Sequence, residues 1–391
     1  MGAENWFQTI LPASAFGIHV EITTTSESAS FIFIQGNRRV IMAERDRSKK
    51  YLVFVMGEKI VRLLWWTGLK KATSIFNNKH AKLEQFIQEF LTDFAKVGFL
   101  TKVLGEKPLE PFSADDSELN EKYYDNSDRY TQALMNFFID LPPFKKECKI
   151  KPLHPPVDVH KITPTPNETW FFLNGIGTNE DMAKVNARML SDIFKRPITL
   201  LHNPGNGFMA DLIEVMKGRA FNLNTAIAES ARDHIWSELK IVKEKMRAAD
   251  KEMEKSYKVV VIAHSQGGLI ISNVVRMLLQ DHGGNPLLNQ LEVYTFASAH
   301  DQYPSSCCTD AQQHQVPFTE HFANKEDYVS QVGVLKAGSK KTVGNIYIKN
   351  GAGHLLNFHY LRDFVHGRYE GKESSRLFSL LGGCRLADAE K

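Results

Sequence analysis

The sequence predicts an α/β fold with a mostly parallel central sheet, preceded by an N-terminal α+β region. Three observations predict it. From residue 169 onward, short apolar runs of strand length alternate with stretches of helical spacing. The run Val259-Val260-Val261-Ile262 is wholly β-branched, as in a strand buried on both faces. A proline-rich stretch (Pro142, Pro143, Pro152, Pro155, Pro156, Pro164, Pro166) separates the alternating part from what precedes it. The expected division is therefore 1–150 as an N-terminal α+β region of unassigned role, 151–168 as the connector, and 169–391 as the α/β domain.

In chain order, Gly17–Ile22, Ser30–Ile34 and Val40–Met42 read as strands of a β-meander, joined by the polar stretch Thr23–Ser28 and by Gly36-Asn37. From about Leu52 to Val103 the apolar period turns helical, clearest in Leu83, Phe86, Ile87, Phe90, Leu91 and Phe94. An acidic loop follows over Asp115–Asp128, then a helix over Tyr130–Ile139. Beyond the connector the expected elements are a strand Trp170–Leu173, a helix Glu180–Phe194 and a strand Ile198–Leu201. A helical insert then spans about 208–255, with Ile227, Ala231, Ile235, Leu239, Val242 and Met246 on one face. It reads equally as a cap over a pocket or as a packing helix. After it come the strand ending at His264, a helix to Gln280, strands Leu291–Phe296, Thr319–Phe322 and Asn345–Ile348, and a helix Leu355–Val365.

At 391 residues, 43% hydrophobic and 24% charged, the chain has the composition of a globular protein with a substantial core. A net charge of +3 is too small to argue for nucleic acid. The four cysteines, Cys148, Cys307, Cys308 and Cys384, show neither metal-ligand spacing nor a disulfide framework. The first residues have no basic segment followed by an apolar one, as a secretory signal would, so a reduced, cytoplasmic setting is expected. The sequon at Asn167 is then a chance match, and Trp6 argues against myristoylation. No run is long enough to span a membrane. Lys59–Trp66 leaves room for surface association only.

The run Ala263-His264-Ser265-Gln266-Gly267-Gly268 joins the β-branched strand to an apolar helix. That strand–turn–helix sets one serine on a sharp bend, and Ala263 and Gly267 supply the small residues it needs on either side. A serine hydroxyl is a weak nucleophile until a histidine takes its proton and a carboxylate orients that histidine. For the acid, Asp327 sits in a polar turn just past a strand, with Asp301, just past the preceding strand, the alternative. For the base, His354 lies in the glycine-rich Gly351-Ala352-Gly353-His354, with His359 the alternative and His366 further on. An oxyanion hole would take the N–H of Gln266 and a second N–H from Asn174-Gly175-Ile176-Gly177, with Ile176 the expected donor. Nothing in this chemistry calls for a cofactor or metal.

Together these residues resemble the α/β-hydrolase superfamily, over about 168–366. Ala-His-Ser-Gln-Gly-Gly resembles the nucleophile turn of serine lipases and esterases, and Gly-Ala-Gly-His resembles the glycine–histidine that carries the base. The stretches Val293–Pro304 and His321–Val329 are similar to the strand–acid segment of class 3 lipases. The resemblance implies an α/β-hydrolase fold and hydrolysis of an ester, acyl or thioester bond, in a small molecule or a lipid. It assigns Ser265, Asp327 and His354 as nucleophile, acid and base. Asn174-Gly175 stands where many relatives have His-Gly. The alternative is a hydrolase-fold domain used for binding or scaffolding.

Overall fold

Val259, Val261 and Ala263 face one side of their strand and Val260 and Ile262 the other, and all five are fully buried. A strand covered on both faces must lie inside a sheet flanked by helices. The computed structural model describes residues 18–24, 29–35, 38–43, 103–107, 110–138, 150–155, 158–175, 177–204, 226–248, 257–304, 316–336 and 342–384. The chain forms two compact units, Met1–Leu69 and Lys70–Lys391.

In the first unit, β1 (Ile18–Thr24), β2 (Ala29–Gln35) and β3 (Arg38–Ala43) form the expected antiparallel meander. Its register pairs Val20 with Phe33 and Ile32 with Ile41. The helical period expected over 52–102 lies outside the described residues, as do Cys148, Cys307 and Cys308.

The second unit holds a seven-stranded sheet. Its strands are β4 (Lys151–Leu153), β5 (Glu168–Leu173), β6 (Ile198–His202), β7 (Lys258–His264), β8 (Leu291–Phe296), β9 (Phe318–Asn324) and β10 (Asn345–Lys349). Their spatial order is β10-β9-β8-β7-β5-β6-β4. All pairs are parallel except β4 with β6 at the edge. β4 comes from the proline-rich connector, and Pro152 is tolerated there because an edge strand need not donate on both sides.

The described helices are α1 (Ser127–Phe138), α2 (Glu180–Phe194), α3 (Ala226–Ala248), α4 (Gln266–His282) and α5 (Tyr328–Val332). A π-helical segment Leu356–Leu361 then runs into α6 (Arg362–Val365), and α7 spans Arg376–Ser379. The helix expected over 355–365 is thus two pieces in different windings.

On one face of the sheet, α3 and α4 bury Ile235, Leu239, Ile271, Val275 and Leu278 against Val259, Val261 and Val293. On the other, Ala183, Ala187, Leu190 and Phe194 of α2 join Tyr360 and Phe364 against Val260, Ile262 and Phe296. The described part of the 208–255 insert, α3, is therefore a packing helix with its apolar stripe in the core. Residues 103–138 belong to the same unit as the sheet. Their Val103, Leu104 and Leu119 are buried.

Candidate active site

β7 ends at His264 and α4 begins at Gln266, so the whole reversal falls on Ser265. Ser265 has φ +56° and ψ −120°, a conformation that costs a non-glycine residue on the order of 1–3 kcal/mol. The bend is locked by backbone bonds: Ser265 N–H donates to Phe296 C=O at 3.0 Å, and its own C=O accepts from Gly268 and Ala299. Gly267 is required by close approach, since a Cβ there would lie 2.3 Å from the Leu173 carbonyl oxygen. Gly175 is required likewise, because its Cβ would come within 2.6 Å of Ser265 Cβ.

Parallel strands deliver the other groups to the same sheet end. Past β9, Asp327 caps α5 and accepts from Val329 N–H at 3.0 Å, so a local cap already fixes its carboxylate. Past β10, His354 closes a glycine-rich loop. Its Nε2 lies 2.8 Å from Ser265 Oγ, and its Nδ1 lies 2.9 and 3.1 Å from the two Asp327 oxygens. A hydroxyl, an imidazole and a carboxylate so form one continuous hydrogen-bonded chain. Ser265 and Asp327 are 1% and 0% exposed, and His354 is 9% exposed.

Asp327 is satisfied on further sides. Tyr360 donates its hydroxyl to Oδ2 at 2.5 Å, and Ser330 Oγ donates at 3.3 Å. The Tyr360 hydroxyl accepts in turn from Asn324 N–H at 3.1 Å. Burial and then the Asp327 charge hold the Tyr360 phenol well above its ordinary value, so it stays a donor. His264, beside the serine, tilts its ring against His354 with centroids 4.8 Å apart. Its Nε2 lies 2.9 Å from the His354 carbonyl, which can only accept, so Nε2 carries the proton. Burial and the neighbouring His354 keep it neutral, well below the ordinary histidine range.

The loop after β5 is pinned by Asn174. Its side chain accepts from Asn203 N–H at 2.8 Å and donates to Asn203 C=O at 2.9 Å. Asn203 also donates to Gln266 Oε1 at 2.7 Å, tying this loop to the start of α4. Gln266 is buried, and its N–H belongs to the first turn of α4. Ile176 lies outside the described residues.

The alternatives sit elsewhere. The Nδ1 of His354 is engaged by Asp327, while Asp301 occupies a half-buried bend beyond β8. His359 Nε2 donates to Leu104 C=O at 3.1 Å, and its Nδ1 accepts from Leu355 N–H at 3.1 Å. Burial first, then nearby positive charge, lowers it to about 3, so it is a neutral structural imidazole. His366 is exposed and bonds within its own turn.

Sequence reasoning missed Tyr360, Ser330, Asn203 and His264. Asp327 carried a signal of its own as a helix N-cap residue, but nothing in the sequence marked Ser330. For Tyr360 and Asn203 there was none, since they reach the site from other strands and helices. Among the described residues, no group of three or more His, Cys, Asp or Glu side chains could hold a metal ion. None of the described helices is long and apolar enough to cross a membrane.

No family model matches the sequence, and neither does any curated protein. Among solved structures, an arylesterase is similar over 70% of this chain and 94% of its own, at 11% identity and a TM-score of 0.35. A thermophilic carboxylesterase from a metagenomic library is similar over 66% and 92%, at 14% identity and a TM-score of 0.35. An esterase of Pyrobaculum calidifontis is similar over 49% and 70%, at 12% identity and a TM-score of 0.30. With one antiparallel edge strand, the sheet order given above and a serine on the turn after β7, this chain has the α/β-hydrolase fold.

Proposed function

We propose that this protein is a serine hydrolase acting on a carboxylic ester, with Ser265 as nucleophile, His354 as base and Asp327 as the orienting acid. The observation that carries the reading is the buried chain from Ser265 Oγ through His354 to Asp327, with bonds of 2.8 and 2.9 Å. In such an arrangement Ser265 Oγ attacks the carbonyl carbon while its proton passes to His354 Nε2. The charge that develops on the imidazole is balanced by Asp327. The carbonyl oxygen becomes an oxyanion, received by the N–H of Gln266 and of Ile176, each donor contributing about 3–4 kcal/mol. Collapse breaks the bond to the leaving alkoxide, which takes the proton back from His354. Water then attacks the acyl-serine by the same relay and releases the acid.

A fluorophosphonate probe tests the reading, because it modifies only an activated serine. Wild type is expected to label and Ser265→Ala not to. Folded wild type that never labels would leave the non-catalytic binding reading instead. Comparing Asp327→Asn with Asp301→Asn tests the acid. If Asp301→Asn alone abolished labelling, the assignment of Asp327 would fall. A panel of p-nitrophenyl esters of graded acyl length then defines the substrate class.

A further inference from the structure

The base does not stand only on its own loop. His354 N–H donates to Val103 C=O at 2.8 Å, and His359, five positions on, donates to Leu104 C=O at 3.1 Å. Gly105 sits so close to the His359 ring that a Cβ there would meet Nε2 at 2.8 Å. Further along the same segment, Glu118 is 2% exposed. Its two oxygens accept from Asn357 N–H and Phe358 N–H, each at 3.2 Å, at the start of the π-helical segment that follows His354. Arg362 then lies over the Phe358 ring and 3.7 Å from both Glu110 and Asp116. A strap formed by 103–105 and 110–124 thus grips the base from both ends: backbone carbonyls before it and at His359, and a buried carboxylate on the helix start.

We propose that Glu118 is a positioning residue for the base: in its ionised form it caps the segment after His354 and keeps the imidazole in register with Ser265 Oγ. The proposal rests on the serine-hydrolase reading. A carboxylate accepts from both N–H groups at once. Protonation turns one oxygen into a donor facing a donor, and the cap is weakened. Burial raises the Glu118 carboxyl to about 7, so this exchange falls near neutral pH. The other titratable and charged groups on the packed elements are Glu110, Asp115, Asp116, Glu121, Lys122, Tyr123 and Tyr124 on the strap, Asp128, Arg129 and Tyr130 on α1, and His359, Tyr360, Arg362 and Asp363 beyond the base. Lys122 pairs with Asp115, and Arg129 with Asp125 and Asp181. Tyr124 is held above its ordinary value by burial, and His359 stays neutral. Glu110 and Asp116 pair with Arg362, and Asp363 with Lys349 and Arg368.

The test is the second-order rate of fluorophosphonate labelling between pH 5 and 9, for wild type and Glu118→Gln, with circular dichroism to establish folding. Glutamine offers one acceptor and one donor and mimics the protonated state at every pH. Glu118→Gln is expected to label about ten-fold more slowly than wild type at pH 8. Toward acid the wild-type rate is expected to fall by an extra ten-fold and meet that of the variant, so that the two differ little at pH 5. A merely structural cap would slow the variant by the same factor at every pH, and that result would overturn the proposal. So would a wild-type profile whose slope nowhere exceeds one proton, a measurement that needs no variant to fold. Wild type that labels at no pH is a different result, because it removes the hydrolase reading itself.

Discussion

Ser265 holds a strained backbone angle at almost zero exposure because the groups around it leave no other place for it. Gly267 shows how little room there is. Its Cβ would strike two backbone oxygens, of Leu173 at 2.3 Å and of Asn174 at 2.9 Å, and backbone cannot swing aside. Gly267→Ala is therefore expected to abolish labelling through a displaced elbow or a failure to fold, as circular dichroism and the fluorophosphonate probe would distinguish. Tyr360 makes a softer prediction. Tyr360→Phe removes one short donor from Asp327 but leaves Val329 N–H and Ser330 in place. The labelling rate should fall by roughly three- to ten-fold, the size of one ordinary net hydrogen bond of about 1 kcal/mol, because two other donors stay on the carboxylate. An unchanged rate would mean that the hydroxyl does not orient the acid. At this scale the nucleophile turn was legible, because small residues beside a serine after a β-branched run serve a local geometry. The polar turn past a strand pointed to Asp327 ahead of Asp301, but the contact of its carboxylate with His354 was not legible, because it depends on which strand end faces that loop.

Elements divide by what their periodicity had to satisfy. α2 and β8 match their expected bounds residue for residue, for their apolar spacing is set by one buried face and their ends by local caps such as Asn179. The segment after His354 is the contrary case. Its apolar residues suggest one α-helix, yet it winds as π-helix over Leu356–Leu361 before α6. There it presents His359 to Leu104, Tyr360 to Asp327, and Asn357 and Phe358 N–H to Glu118. An inserted residue in a helix is a frequent device at functional sites, since it re-aims side chains that a regular winding would misplace. α3 gives the element-scale prediction. Ile235→Ala leaves a cavity among fully buried neighbours and should cost about 2–5 kcal/mol in urea unfolding. The protein that remains folded should label at the wild-type rate, because the described part of the insert packs on the sheet. A large loss of labelling in folded Ile235→Ala would instead tie α3 to the site.

At the scale of the whole chain, five histidines among the described residues are buried and neutral: His202, His264, His300, His321 and His359. Burial lowers each below its ordinary value, His321 to about 4 and His359 to about 3. Such a group takes up its proton only on unfolding, so its contribution is complete above the unfolded value near 6.5 and is lost as pH falls toward the folded one. Buried Glu118 and Glu320 act with the opposite sign. Their carboxyls are raised, and ionising them costs stability as pH rises past the ordinary carboxylate range. Five groups outweigh two, so urea midpoints should fall from pH 7 to pH 5.5, and a flat or rising series would refute the balance. By itself the sequence determined the parallel core, the meander and the serine turn, since each rests on short-range pattern: alternation, spacing and small residues at a bend. Only the tertiary structure decided which carboxylate reaches His354, why His359 does not reach the serine, and that 103–105 and 110–124 brace the base. Those contacts join residues 27 to more than 200 positions apart, and no local pattern encodes a distance closed by the stacking of strands and the docking of a distant strap.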